Sequence, residues 1–396
     1  MSAEDHQYEY DGQRLARGLF RLGFRSLVPR RLEVGSWSDE IGLFVANEHG
    51  VFARNSAPSV TSWAIACGVL VNMHDPFAKD EVSAEVDMTE PFTAAGRCKV
   101  RVKVPSSPLL VAGQQYDIVF RVIKNDKPVS PVIPPHPLRI DVPGTFGTNE
   151  NNDDDEEDYL SCCRLVIPSI NWRDAPRLII GESASNLGIG GKVWDGSIAM
   201  LEFLFQTEAR WSDELGLPDH SGCKIVDLGS ATGILGLGIS LLKPQCVVVN
   251  TDLPEVIPLL EMNLNKNPAT RRNCFAEAYP WGSEADIGGK LRDIDIVTMC
   301  DVVYDRDCYQ PLIASLVKLK AKHVLMSHRH RNRSEVEFFQ DLAKIGRIEC
   351  IKLPLVSDND PYQQILANIP LSTSLVVRDK FTSTVDDVAL FRIRLQ

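Results

Sequence analysis

The stretch KIVDLGSATGILGLGISLL, residues 224–242, constrains the fold more than any other part of the chain. It is an apolar run broken by four glycines, with an aspartate two residues before the first. KIVDL reads as a buried strand and GILGLGISLL as a helix, so GSATG must turn the chain sharply between them. Similar alternation follows on both sides. DGSIAMLEFLFQTEARW (195–211) carries Ile198, Leu201, Leu204 and Phe205 at helical spacing, CVVVNTD is a strand, and PEVIPLLEMNLNKN is a helix. DIDIVTMCDVVY, HVLMSHR, IECIKL and ALFRIRL read as further strands, with helices over YQPLIASLVKL and EVEFFQDLAK. Alternating strands and helices require parallel strands with right-handed crossovers, which is a doubly wound α/β sheet.

The front of the chain has a different period. In CKVRVKVP, Val100, Val102 and Val104 alternate with Lys99, Arg101 and Lys103, so one strand face is apolar. LFVAN, SWAIACGVLV, VSAEVDM, YDIVFRVI and LRIDV read as companion strands across roughly 35–145. Six or seven short strands without long helices predict a β-sandwich or barrel, with a short helix before it at 10–22. Between the two rhythms, ENNDDDEED (150–158) has no apolar side chain and repels itself into a solvated link. The expected organisation is a β-rich domain over 1–148, an acidic linker over 149–160, and an α/β domain over 161–396.

The formal net charge of −11 argues against a nucleic-acid backbone as partner of the whole molecule. The ten cysteines include no CxxC pair, which fits reduced thiols better than a disulfide frame or a zinc site. No apolar run approaches the ~20 residues of a membrane span, and MSAEDHQYEY has no signal-peptide character. The expected compartment is the cytosol, with the nucleus as the alternative.

In a doubly wound sheet, ligands bind beyond the carboxyl ends of the strands, where strand order reverses. Gly229 and Gly233 keep Cβ atoms off the backbone there, and the next strand ends in Asp252, whose two oxygens can bind both ribose hydroxyls of a nucleoside. A dinucleotide fingerprint needs GxGxxG, but here alanine stands at the second glycine, and no tyrosine is followed by the lysine of a YxxxK pair. An acid, a small-residue turn of this form and an acid ending the next strand instead match S-adenosylmethionine sites. Close helix–strand packing is the plainer reason for such glycines.

Three more stretches appear in order: GGKVWDGSIAMLEFL with Trp194, YPWGSE with Trp281, and DIVTMCDVVYD ending in Asp301-x-x-Tyr304. With the RxR…FF pattern of HRHRNRSEVEFF (328–339), they make residues 165–396 resemble the eukaryotic seven-β-strand protein-lysine methyltransferases, methyltransferase family sixteen. The resemblance implies a seven-stranded Rossmann-like sheet. It implies S-adenosylmethionine as cofactor, with Trp194, Asp227, Gly229, Ser230, Ala231, Gly233, Asp252, Trp281 and Cys300 around it. Asp301 and Tyr304 would be catalytic, the former orienting the amine and receiving its proton through water. No metal is expected. Ser230 and Ala231 depart from the usual alanine and glycine. The implied partner is a lysine-bearing protein, such as a translation factor or chaperone. Methylation of nucleic acid or of a small molecule is one competing class; a non-catalytic binding module on a methyltransferase scaffold is another. Asp301-Val302-Val303-Tyr304 is not the N/D-P-P-Y/F motif common in nucleic-acid amino-methylating enzymes. The basic run His328–Arg333 reads as a solvated loop leading into a helix, or as a contact for phosphate or acidic protein.

Overall fold

A computed structural model describes residues 21–25, 31–47, 62–71, 75–76, 80–111, 115–124, 127–128, 132–133, 135–141, 162–166, 176–207, 211–212, 215–218, 220–284, 289–331, 334–352, 371–372, 385 and 387–396. The acidic linker expected over 149–160 lies outside the described residues. By compactness the chain divides into one unit of 19–193 with 262–269, and another containing 194–261 and 270–396.

In the first unit nine strands form one sheet, in the order 21–24, 41–46, 97–103, 81–90, 64–70, 115–124, 135–141, 31–33, with 127–128 paired to 115–124. Leu43, Val100 and Val102 from one half of this sheet join Val69, Ile118 and Phe120 from the other in a single buried cluster. The sheet therefore closes over its own core, as in a sandwich. The helix expected over 10–22 ends differently: Arg21–Phe24 is a strand antiparallel to Ile41–Ala46, while residues 10–20 lie outside the described residues. The cause is local. Gly23 disfavours a helix, and a Cβ there would lie 2.6 Å from the Phe44 ring across the pair.

The second unit is the α/β sheet. Its strands are β1 (Lys224–Leu228), β2 (Val247–Asp252), β3 (Cys274–Ala278), β4 (Ile296–Cys300), β5 (His323–His328), β6 (Gly346–Lys352), β7 (Leu371–Ser372) and β8 (Ala389–Leu395). Their order is β3-β2-β1-β4-β5-β8-β6-β7. β8 runs antiparallel to both neighbours, and the other pairs are parallel. Seven strands are five or more residues long, and β7, a two-residue pairing at the edge, makes an eighth beside the expected seven. The central strands are buried along almost their whole length, as their continuous apolar character requires.

The helices are α1 (Asp195–Gln206), α2 (Ile234–Leu242), α3 (Ile257–Lys266), α4 (Tyr309–Leu319) and α5 (Glu335–Ile345). α1 packs on α2, and α4 packs on α5. No described helix is long and apolar enough to cross a membrane. The chain leaves β3 and re-enters the sheet on the far side of β1, at β4. The turns after β1 and β4 therefore flank the reversal of strand order, where a crevice opens in such sheets.

Candidate active site

The turn after β1 is tied to the end of β2. The N–H groups of Gly229 and Ser230 both donate to Thr251 O at 2.9 Å, and Thr251 N–H donates to Ser230 Oγ at 2.9 Å. Asp252 reaches back across the gap: its Oδ2 accepts from Ala231 N–H at 2.8 Å and its Oδ1 from Leu253 N–H at 2.8 Å. Each oxygen keeps a lone pair for a further donor. The Asp252 side chain is only partly covered, and burial raises its pKa against these two backbone bonds.

Gly229, Ala231 and Gly233 all take positive φ, +75°, +50° and +76°. At Gly229 a Cβ would stand 2.6 Å from Trp281 Cζ2 and 3.0 Å from Val302 Cγ1. The indole thus closes against bare backbone, forming an aromatic wall beside Asp252's turn. Further along, the plainer reading of the glycines holds. A Cβ at Gly236 would lie 2.0 Å from Asn250 Oδ1, and one at Gly238 would lie 2.4 Å from Leu201 Cδ2. The first part of the turn is bare backbone covered by the Trp281 ring, and the helix after it is a packed crossing.

Asp227 sits deeper than its neighbours. It is 3% exposed, and its Oδ1 accepts from Thr298 Oγ1 on β4 at 2.7 Å. Burial pushes its pKa up to about 6, against the hydrogen bonds of Thr298 and Ser230. Cys300, at the end of β4, is buried as well, and its thiol is raised well above the usual value by burial, then by the charge of Asp227.

Asp301 follows Cys300 with φ +55°, a conformation in which aspartate is among the tolerated residues. Its Oδ2 accepts from Gly196 N–H at the start of α1 (3.1 Å); its Oδ1 accepts from Arg329 N–H (2.9 Å) and Arg331 Nη1 (3.2 Å). Gly196 is required for this contact, because a Cβ there would lie 2.5 Å from Asp301 Oδ2. Burial alone would raise the carboxyl, but the charges of Arg331 and Arg329 outweigh it and hold the pKa below the ordinary value. Three residues on, Tyr304 is half-buried, and burial, with the charges of Cys308 and Asp252, lifts its phenol to about 12. Trp194, extended at the N-cap of α1, lies under Arg331, whose guanidinium carbon is 5.8 Å from the ring centroid.

The basic run after β5 is not a solvated loop in its described part, 328–331. His328 and Arg329 are buried, and the chain alternates sides as an extended segment does. Arg329 pairs with Asp195 (3.0 Å) and Asp387 (2.7 Å), and Arg331 pairs with Asp301. His328 and His330 instead face Glu335. Sequence reasoning missed Gly196, Thr298, Arg329, Arg331 and Glu335 as parts of the site. The available signal was the period-two His/Arg alternation directly after a strand, a pattern for two buried faces.

Comparison with known proteins finds a family whose model matches part of the chain. Residues 172–345 match the family described as lysine methyltransferase. A stretch of 162 residues is 29% identical to EEF1A lysine methyltransferase 3 of Xenopus tropicalis, covering 40% of this chain and 66% of that protein. A UPF0665 family protein of Schizosaccharomyces pombe is 27% identical over 158 residues, 39% of this chain and 46% of that one. Protein-lysine N-methyltransferase EFM6 of Saccharomyces cerevisiae is 26% identical over 189 residues, 43% and 75% respectively. The chain thus spans less than two thirds of the length of the first two relatives.

Proposed function

We propose that this chain, whose residues 172–345 match the family described as lysine methyltransferase, transfers a methyl group from S-adenosylmethionine to the ε-amine of a protein lysine. The observation that carries this reading is the Asp252 carboxylate facing Ala231 N–H at the strand-order reversal. Its free lone pairs suit two ribose hydroxyls, and the Trp281 ring closed on Gly229 suits a flat apolar base. When bound, S-adenosylmethionine supplies a methyl group on a sulfonium, which an amine lone pair displaces as the sulfur keeps the bonding electrons.

The chain's own residues bind and align. Asp252, Gly229, Ser230, Ala231, Gly233, Trp281 and Trp194 would hold the cofactor, and Asp227 and Cys300 would support that turn from the buried strand ends. A free lysine has a pKa of about 10.4 and must lose a proton before attack. A half-buried wall at Tyr304 lowers that pKa by desolvation. Asp301 is a positioning residue in this scheme. Its low pKa and its three donors leave it little capacity to take a proton, so the proton leaves to water. Its bonds to Gly196 and Arg329 fix the turn that carries Val302 and Tyr304, so that alignment supplies most of the rate.

The substrate class proposed is a translation factor or chaperone. EEF1A, for which the Xenopus relative is named, is the first protein to test. The β-rich domain, 1–148, is proposed as its docking platform, in the cytosol or nucleus. The experiment is incubation with labelled cofactor and a lysate of the protein's own cells, with the labelled residue mapped by mass spectrometry and Asp252→Ala as control. Label on a protein lysine that Asp252→Ala abolishes is expected. Label on RNA or small molecules, or no calorimetric binding of S-adenosylmethionine, overturns the reading.

A further inference from the structure

Two imidazoles and a carboxylate converge on the face of segment 328–331 that turns away from Asp301. His328 Nε2 lies 2.9 Å from Glu335 Oε2, and His330 Nδ1 lies 2.7 Å from the same oxygen. The donor atoms of all three residues fall within 4.8 Å of one another. The His328 and Glu335 side chains are fully buried and that of His330 is 7% exposed. Glu335 Oε1 is engaged by Arg331 N–H at 2.9 Å, which aims Oε2 at the two rings. The ring of His328 is further fixed edge-on to Phe339, with centroids 5.4 Å apart.

We propose that His328, His330 and Glu335 form a site for a single divalent transition-metal ion, zinc in the first instance. Two imidazole nitrogens and one carboxylate oxygen are a donor set that zinc accepts, with a fourth position left for water on the slightly open His330 side. Bond lengths of about 2.0–2.2 Å place tetrahedral donors about 3.4 Å apart. The two His–Glu spacings open by roughly half an ångström to reach this, and the two imidazole nitrogens start no more than 4.8 Å apart, which is within side-chain torsional adjustment. The Arg331 N–H on Glu335 Oε1 is the outer contact that orients a ligating carboxylate. The ion's role follows from the alternation: pinning His328 and His330 pins Arg329 and Arg331 between and beside them, and with them the contacts to Asp301. This site does not depend on the methyl-transfer reading.

The test uses the full chain stripped with chelator and titrated with cobalt(II), then zinc. Cysteines are the competing ligands, ten of them in the sequence, and the cobalt spectrum separates the two sources. One equivalent of cobalt should give the d–d bands of a four-coordinate nitrogen/oxygen site without a thiolate charge-transfer band. Zinc should displace it and raise the melting temperature. His330→Ala and Glu335→Gln should each weaken zinc binding at least tenfold. If a variant does not fold, X-ray absorption of the wild-type zinc form decides, by nitrogen/oxygen or sulfur neighbours. Absence of binding, thiolate bands, or zinc affinity unchanged in His330→Ala overturns the site and leaves a hydrogen-bonded latch.

Discussion

Arg331 Nη1 lies 3.2 Å from Asp301 Oδ1, and the carboxylate has essentially no exposure to water. Removing one member of such a pair leaves a buried charge uncompensated, which costs about 3–5 kcal/mol. Arg329 and Gly196 keep Asp301 partly satisfied in Arg331→Ala, so the expected loss is at the lower end. Urea unfolding should show it, with Arg331→Lys recovering part. Methyl transfer should fall much further than cofactor affinity, because Asp252 is untouched. Equal losses in both would place Arg331 in the cofactor site instead.

Gly229→Ala tests the aromatic wall. The new Cβ would meet Trp281 Cζ2 at 2.6 Å and would also be held at φ +75°. The left-handed conformation alone costs about 1–2 kcal/mol. Gly222 is the control, because its φ is +84° but a Cβ there meets nothing within 4 Å. Gly222→Ala should lose only the conformational part and bind S-adenosylmethionine normally by calorimetry. Gly229→Ala should lose more stability and most of its cofactor affinity. Equal behaviour of the two variants would remove Trp281 from the pocket.

Those two cases show what the sequence made legible. The strand–turn–helix at 224–242 could be read because a central parallel strand is apolar throughout and its turn needs glycine. The strand Cys274–Ala278 escaped notice, since an edge strand is buried along little of its length and the apolar run of CFAEA is only three residues long before Glu277. The long apolar stretch DIDIVTMCDVVY suggested a strand to Tyr304, but the ladder stops at Cys300, where Asp301 turns to positive φ to meet Gly196. That stop is dictated by a contact more than a hundred residues away in sequence. The His328–Arg331 run was misread for a similar reason. Charge suggests water until the acids that neutralise it, Asp195, Asp301 and Glu335, are brought alongside by the sheet.

Ala231 occupies a position that glycine prefers, with φ +50°, while its N–H holds Asp252. Ala231→Gly relieves about 1–2 kcal/mol of backbone strain and loses about 0.4–1 kcal/mol through the freer unfolded chain. A net gain of up to about 1.6 kcal/mol follows, visible as a higher melting temperature. Cofactor affinity should be retained, since the backbone donor is unchanged. A lower melting temperature would mean that the alanine methyl packs in a way its strain conceals.

Asp227 gives the pH dependence. Burial disfavours the ionised form and pushes its pKa in the folded protein up to about 6, from the ordinary 3.8. Well below pH 3.8 the group is protonated in both folded and unfolded chains, and its stabilising contribution is fully present. Between the two values only the unfolded chain releases the proton, so the contribution is lost as pH rises through about 6. The shift corresponds to on the order of 3 kcal/mol. Asp227→Asn keeps an acceptor for Thr298 Oγ1 and removes the titration. Relative to the wild type, this variant should gain stability steadily from pH 4 to pH 6 and level off above that. Urea unfolding without added cofactor, in matched buffers across that range, checks it. A difference that stays constant with pH would mean that Asp227 ionises normally and that water reaches the carboxylate beneath the glycine turn.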